Sequence, residues 1–163
     1  MDPKGNITRT GPVEHVTMDA VKTVLPEFTG TIMQVPPIFS AIRKEGKRLY
    51  KLGQKGVSAD DIVIEAREVE ILDLRLVESD DVTLPQFEIS MECGGGTYVR
   101  SLIRDIGYKL GTVATTTFLE RTKQGQFTLQ HCLKQEDWTA DNIYAEIEHR
   151  NRIRELEKNH VSQ

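Results

Sequence analysis

Tyr98 and Arg100 are the residues whose types and spacing are best suited to chemistry. They follow three glycines, at the point where an apolar, alternating segment gives way to a helical pattern. Glycines allow the backbone to turn sharply and to approach a ligand closely, and a helix N-terminus attracts anions. One residue separates Tyr98 from Arg100, so both side chains could face one cleft. The alternative is a tight strand-to-helix turn whose arginines face solvent, since glycine-rich turns alone are weak motifs.

A second candidate segment runs from residue 34 to residue 43 and reads Gln-Val-Pro-Pro-Ile-Phe-Ser-Ala-Ile-Arg. Its paired prolines enforce extended backbone and exclude a helix. One interpretation is a rigid connection in which Phe39 plugs the core. The other is a phosphate contact, because a run of basic residues follows immediately.

The charges are unevenly distributed along the chain. The 163 residues carry a net charge of −4, but residues 43–55 hold six basic residues against one acidic residue, and residues 58–92 hold eleven acidic residues against two basic ones. This segregation predicts one basic face and one solvated acidic face. Local charge matters more than total charge for phosphate binding, although both clusters could simply be solvated surface. The basic residues are Arg43, Lys44, Lys47, Arg48, Lys51 and Lys55.

The composition is that of one soluble globular domain, with 38% hydrophobic and 28% charged residues. We expect no membrane span and no secretory leader, because the longest apolar runs are only a few residues. Cys93 and Cys132 are too few for a disulfide framework and indicate reduced, intracellular thiols. The four histidines have no metal-ligand spacing.

Hydrophobic periodicity predicts an α+β fold in which strands dominate the middle of the chain. Thr17 and Thr139 are the predicted N-caps of the first and last helices. The predicted helices are 18–28, 47–52, 99–110 and a polar, fraying one from 138 onward, with a disordered tail at 161–163. The predicted extended segments are 32–35, 40–43, 62–77 (two strands with a bulge or bend), 87–93, 114–122 and 127–129.

Several segments together resemble consecutive motifs of the TruB-type tRNA pseudouridine synthases. The resemblance covers roughly residues 2 to 133, in the family's order and spacing. The triple glycine and the sequence of residues 122–125 (Thr-Lys-Gln-Gly) resemble eukaryotic members of the family more than bacterial ones. The matching segments are 28–30 (Phe-Thr-Gly), 34–37 (Gln-Val-Pro-Pro), 40–42 (Ser-Ala-Ile), 46–50 (Gly-Lys-Arg-Leu-Tyr), 96–102 (Gly-Thr-Tyr-Val-Arg-Ser-Leu), 105–107 (Asp-Ile-Gly) and 119–122 (Leu-Glu-Arg-Thr).

The resemblance implies an activity and roles for particular residues. The family isomerises uridine to pseudouridine at position 55, in the T-loop of tRNA, on a mixed and mainly antiparallel sheet with flanking helices. It needs no cofactor and no metal. By resemblance, Tyr98 packs against the flipped base and removes the carbon-5 proton, and Arg100 pairs with the catalytic aspartate. The substrate-binding residues that we expect are Leu119 in the uracil pocket, together with Gly96, Arg43, Lys47, Arg48 and Lys55.

The chain departs from the family at the catalytic aspartate. It has no Gly-x-Leu-Asp motif, and Asp2 aligns better with a later Asp-x-x-Gly turn. The family's base-stacking tyrosine is also missing, and residues 52–56 (Leu-Gly-Gln-Lys-Gly) replace the usual Ala-Arg-x-Gly, so Lys55 would have to replace the arginine contact. We expect no RNA-binding C-terminal domain after the matching segments.

We therefore expect residues 1–133 to be the C-terminal half of a catalytic domain, followed by a polar helix and tail at 134–163. The isolated chain is expected to be inactive, whereas the complete protein is expected to be an intracellular, monomeric enzyme whose partner is the tRNA T-stem-loop. Whether it acts in nucleus, cytoplasm or mitochondrion stays open. A truncated or degenerate tRNA-binding protein of the same lineage is the main alternative. A guide-RNA-dependent relative is disfavoured, because the 122–125 region and the short tail resemble those of the stand-alone enzymes.

Overall fold

The computed structural model describes residue 7 and residues 9–44, 46–57, 61–79 and 82–161, with side chains described as far as residue 155. The chain divides into two compact units, residues 1–118 and residues 119–163. The mixture of helices with small antiparallel sheets confirms the α+β class. No helix in the described ranges is both long enough and apolar enough to cross a membrane.

The first unit contains a three-stranded antiparallel sheet and three helices. The sheet has the order β1-β4-β5, and a two-stranded ladder pairs β2 with β3. The helices are α1 (Met18–Val24), α2 (Leu49–Gln54) and α3 (Val99–Lys109), and the strands are β1 (Gly30–Gln34), β2 (Arg43–Lys44), β3 (Lys47–Arg48), β4 (Arg67–Val77) and β5 (Glu88–Cys93).

The core lies between the sheet and the helices α1 and α3. It forms because α3 repeats apolar residues at helical spacing, whereas β4 alternates them at strand spacing. The cluster comprises Val16, Val21, Leu25, Ile71, Leu74, Leu102, Ile103 and Ile106.

Of the helix predicted for residues 18–28, only Met18–Val24 is α-helical. The Thr17 hydroxyl accepts a hydrogen bond from the Ala20 N–H at 3.1 Å, which confirms Thr17 as the N-cap. Because Pro26 has no N–H to donate, α1 gives way to a 3₁₀ turn at Leu25–Phe28. Gly30 follows at a φ of +88°, which lets the chain turn into β1.

The region 62–77 is one strand rather than two. Strand β4 begins at Arg67, so the predicted strand over residues 62–66 is wrong. The predicted bulge is confirmed, because the pairing with β5 shifts between Ile71 and Asp73. One inserted residue changes which face the following side chains point to, and this accounts for the two phases of alternation in the sequence.

Two further predictions around the basic run need correction. The strand predicted for residues 40–43 is limited to Arg43–Lys44, because Ser40 and Ala41 lie in bends. The helix predicted for residues 47–52 starts two residues later, at Leu49, because Lys47–Arg48 pairs with β2 instead.

The second unit contains a hairpin and a long helix. Strands β6 (Lys123–Gln124) and β7 (Phe127–Thr128) form the hairpin, and α4 spans Ala140–Val161. The Thr139 hydroxyl accepts from the Asn142 N–H at 3.3 Å, which confirms that cap. Val161 is helical, contrary to the predicted disorder, and residues 162–163 lie outside the described ranges.

The strand predicted for residues 114–122 is wrong, because this stretch is irregular. Its threonines favour extended backbone, but a strand also needs a neighbour to pair with. Within the described residues, no strand pairs with this stretch.

Candidate active site

The turn between β5 and α3 is fixed by backbone hydrogen bonds. The Gly94 N–H donates to the Glu70 carbonyl at 2.8 Å, and the Thr97 hydroxyl donates to the Gly94 carbonyl at 3.0 Å. Gly96 has a φ of +87°, in the left-handed region that strains any residue with a Cβ. The backbone therefore requires glycine at Gly96, whereas its expected contact with substrate stays a prediction.

Gln34 joins the first candidate segment to the second. It is the last residue of β1, and only 1% of its surface is exposed. Its Oε1 accepts the Tyr98 N–H at 2.8 Å, a bond between residues 64 positions apart. Its Nε2 is also buried and has no hydrogen-bond partner among the residues that the structure describes. The amide of Gln34 thus fixes the backbone of Tyr98 at the start of α3.

Two side chains of α3 donate hydrogen bonds to the backbone carbonyl of Val35, the residue that follows Gln34. The Val35 carbonyl accepts from the Ser101 hydroxyl at 2.8 Å and from an Arg104 guanidinium nitrogen at 3.2 Å. Arg104 also pairs with Asp105 at 2.8 Å. Pro36 offers no N–H with which this stretch could join a sheet, so α3 takes the place of a neighbouring strand.

Arg100 makes the fourth connection between α3 and the 34–42 segment. One guanidinium nitrogen donates to the Phe39 carbonyl at 3.1 Å. A guanidinium carries five N–H donors, and within the described part of the chain only this one acceptor engages Arg100. The remaining donors can bind a carboxylate or a phosphate, which is the chemistry expected of this residue.

The basic run lies beside the same segment. The N–H groups of Leu49 and Tyr50 donate to the carbonyls of Ile42 and Ser40, at 2.8 and 3.1 Å, so the start of α2 is attached to it. Five exposed residues then define what we call the basic surface: Arg43, Lys47, Arg48, Lys51 and Lys55.

Like charges face each other in the basic surface. Arg43 lies opposite Arg48, and Lys44 lies opposite Lys47, in the ladder of β2 and β3. Like charges directly opposite each other in a ladder are destabilising. No member of the basic surface forms an ion pair with a described residue, so a bound polyanion would relieve the repulsion.

The remaining predicted residues and chemistries have less support. Leu119 is the first residue of the second unit and is 55% exposed, so its place in a uracil pocket stays a prediction. The described residues contain no group of three or more His, Cys, Asp or Glu side chains that could hold a metal ion. Cys93 and Cys132 are free thiols.

Sequence reasoning assigned no role to Gln34, Ser101 or Arg104. A signal for Gln34 was available, because Ile32 and Gln34 share the core-facing phase of a strand, where a polar group must find a partner. Ser101 precedes the buried pair Leu102 and Ile103, and it is itself 1% exposed. Nothing in the sequence identified Val35 as the partner.

Comparison with known proteins decides the family. A sequence model described as "TruB family pseudouridylate synthase (N terminal domain)" matches residues 1–99, which is more than half of the chain. The chain belongs to the TruB family of pseudouridine synthases. This confirms the family that the motifs indicated.

Relatives from bacteria and animals resemble this TruB-family chain to similar degrees. "Pseudouridylate synthase TRUB1" of Homo sapiens is 39% identical over 150 residues, which cover 91% of this chain and 42% of the relative. "tRNA pseudouridine synthase B" of Parabacteroides distasonis is 42% identical over 136 residues, which cover 83% of this chain and 55% of the relative. The enzyme of the same name from Clostridium tetani is 37% identical over 142 residues, covering 87% and 47% respectively. The chain thus spans about half the length of these relatives.

Proposed function

We propose that the protein carrying this TruB-family chain isomerises uridine to pseudouridine in the T-loop of tRNA, at position 55. The observation that carries the proposal is the attachment of Tyr98 and Arg100 to the 34–42 segment, which leads directly into the basic surface. Relatives named tRNA pseudouridine synthase support the choice of tRNA. The partner is the T-stem-loop, and the complete protein acts as a monomer.

Tyr98 and Arg100 serve different steps of this isomerisation. The bond between the ribose C1′ and N1 of uracil breaks, the base rotates, and a new bond forms from C1′ to C5. The C5 proton leaves to a base, for which Tyr98 is the candidate, and a proton returns to N1, so the atoms balance. Arg100 holds a carboxylate ionised and oriented through the N–H donors that the Phe39 carbonyl leaves free.

That carboxylate comes from outside these 163 residues. The chain contains no Gly-x-Leu-Asp motif, and the guanidinium of Arg100 pairs with no described carboxylate. The chain accordingly acts as the C-terminal half of the catalytic domain of a eukaryotic-like member. Because the motif is missing, a second candidate function remains, that of a catalytically inactive tRNA-binding protein of the same lineage.

The remaining site residues contact the RNA. Arg43, Lys47, Arg48 and Lys55 neutralise backbone phosphates. Leu119 lines the pocket of the flipped uracil, since a base that leaves the RNA stack needs an apolar wall. Gly96 brings the backbone close to the substrate.

The test is a chimaera in which this chain replaces the matched 136 residues of the Parabacteroides distasonis enzyme. We expect pseudouridine in the T-loop of unmodified tRNA. Tyr98→Phe should lower kcat by roughly 10²- to 10⁴-fold, the usual worth of a positioned general base. Arg100→Met should abolish turnover, whereas Tyr144→Phe, in α4, should change nothing. Full activity with both Tyr98→Phe and Arg100→Met would refute the assigned roles.

A further inference from the structure

We propose that Phe39 is a stacking site for an unpaired nucleobase of the RNA, an inference that rests on the proposed function. Phe39 is 53% exposed, so the interpretation of this residue as a plug of the core is wrong. A large apolar ring that is half exposed to water gains much less stability from burial than a core ring does. Its exposure is informative because of what surrounds the ring.

The backbone at Phe39 is held by two hydrogen bonds, and one edge of its ring packs against α2. Arg100 binds the Phe39 carbonyl at 3.1 Å, and the next carbonyl, that of Ser40, accepts the Tyr50 N–H at 3.1 Å. One edge of the ring rests on α2 at Gly53, where an added Cβ would lie 3.0 Å from Cε1 and 3.1 Å from Cζ. A side chain anchored in this way loses little conformational entropy when a ligand binds.

The charges around Phe39 favour a nucleic acid over a protein as the ligand. The helix against which the ring rests carries Lys51 and is followed by Lys55, and the 34–42 segment leads directly to Arg43. An aromatic ring among cations that track a phosphate backbone is the arrangement used for single-stranded nucleic acid. The occupant must be an unpaired base, because a base within a duplex is already stacked on both faces.

Phe39 also adds a distinct function to the site. Tyr98 is assigned to the base that reacts and Arg100 to the catalytic carboxylate, and both act through their side chains. Phe39 is linked to Arg100 only through its carbonyl, so its ring is free for a different base. The ring would hold a neighbouring loop base while the target uridine reacts.

The experiment compares hairpin and duplex RNA. The chain is titrated at low salt with an unmodified T-stem-loop hairpin and with a fully paired duplex of the same stem. Phe39→Leu keeps an apolar contact with Gly53 but removes the π-face, and should weaken hairpin binding by roughly 5- to 100-fold. Duplex binding should not change. Tyr144→Leu, which removes an aromatic that is 69% exposed on α4, is the matched control and should change neither.

A fluorescence measurement makes stacking directly visible. The chain has one tryptophan, Trp138, so Phe39→Trp combined with Trp138→Phe places the only indole at position 39. Its emission should be quenched by the hairpin and not by the duplex, because a stacked base quenches indole emission. Tyr144→Trp combined with Trp138→Phe should show no quenching with either RNA.

The outcomes separate the inference from the proposed function. If the wild-type chain binds the hairpin but Phe39→Leu binds it equally well, or if the indole at position 39 is not quenched, the inference is overturned and the proposed function stands. If the wild-type chain does not bind the hairpin at all, the proposed tRNA substrate is overturned as well. If Phe39→Leu does not fold, the quenching measurement decides alone.

Discussion

Gln34 shows at the scale of one residue how this site is held together. Its side-chain carbonyl oxygen accepts the Tyr98 N–H at 2.8 Å, although Gln34 is 1% exposed and no described residue pairs with its Nε2. Burying an amide costs free energy unless its polar atoms are paired. Because one polar group of Gln34 is unpaired among the described residues, we infer that its role is to position the residue to which it is hydrogen-bonded. The residue whose placement it fixes is the candidate base.

We therefore predict that Gln34→Leu destabilises the chain and releases the Tyr98 backbone. Loss of the acceptor leaves a part-buried N–H unpaired, at a cost of about 1 kcal/mol, the lower end of the range for a buried donor. Chemical denaturation measures the free energy of unfolding, and the amide resonance of Tyr98 reports the local change. Gln86→Leu, at an exposed position, is the control and should leave both unchanged. An unaltered Tyr98 amide in a destabilised Gln34→Leu chain would contradict the positioning role.

Single residues also show what sequence can predict. Tyr98 and Arg100 were recognisable because a glycine turn before a helix is a local pattern. Gln34 was not assigned, because its partner lies 64 positions away and the strand pattern says only that its side chain points inward. Phe39 was misplaced for a related reason, since hydrophobicity alone does not reveal whether a ring on a proline-rich segment meets the core.

At the scale of elements, the central feature is the clamp between α3 and the 34–42 segment. Its bonds come from the N-cap residue Tyr98 and from Arg100, Ser101 and Arg104 of α3. The segment has too many prolines to join a sheet, and α3 supplies donors instead. The same segment carries the start of α2, so a single connection positions both the candidate catalytic residues and the basic surface.

The hairpin of β2 and β3 should carry part of the salt dependence of RNA binding. Lys47→Gln combined with Arg48→Gln should reduce the slope of log affinity against log salt by about 1.4–1.8, which corresponds to two lost phosphate contacts. The loss of affinity should be similar for different RNA sequences. Lys134→Gln combined with Arg154→Gln, two exposed positions in the second unit, is the control. An unchanged slope would show that Lys47 and Arg48 make no phosphate contacts, which would contradict a role of the basic surface in RNA binding.

A second prediction at this scale concerns the link between α1 and the residue that follows β4. Lys22 and Glu78 pair at 2.6 Å, which lowers the pKa of Glu78 from its model-compound value of 4.5 and raises the pKa of Lys22 from 10.5. A lowered carboxyl pKa gives stability that is present above the unfolded value and lost as pH falls through the folded value. A raised lysine pKa gives stability that is lost at high pH.

Glu78→Gln should therefore lower Tm slightly at pH 7 and not at all at pH 2. The effect is small because both side chains are exposed, and salt near 1 M, where the Debye length is about 3 Å, should abolish it. Thermal unfolding at the two pH values measures it, with Gln86→Leu as a reference for an uncharged surface change. A larger Tm loss at acid pH than at pH 7 would contradict the assigned signs.

The elements themselves were predicted to different extents. The caps at Thr17 and Thr139, the 3₁₀ turn at Pro26 and the bulge in β4 follow from local chemistry and were recognisable. Strand predictions failed over residues 62–66 and 114–122, because residue type indicates that a chain can extend, whereas pairing requires a neighbour that only the tertiary structure supplies.

At the scale of the whole molecule, the charge segregation becomes two distinct surfaces of the first unit. Glu68 and Glu70 are exposed on the outer side of β4, and Glu88 and Glu92 are exposed on β5, which confirms a solvated acidic sheet face. The basic surface lies on β2, β3 and α2 instead. The basic surface attracts a polyanion, whereas the acidic sheet face repels one. This charge distribution therefore favours an approach in which the basic surface faces the polyanion.

Under the proposed function, this chain supplies one wall of a pseudouridine synthase site, and the carboxylate for Arg100 comes from elsewhere. The most direct measurement incubates the 163-residue chain alone, in excess, with unmodified tRNA and quantifies pseudouridine at the T-loop uridine. We predict an amount equal to that of a protein-free control. Pseudouridine formed at that uridine by the chain alone would contradict the account.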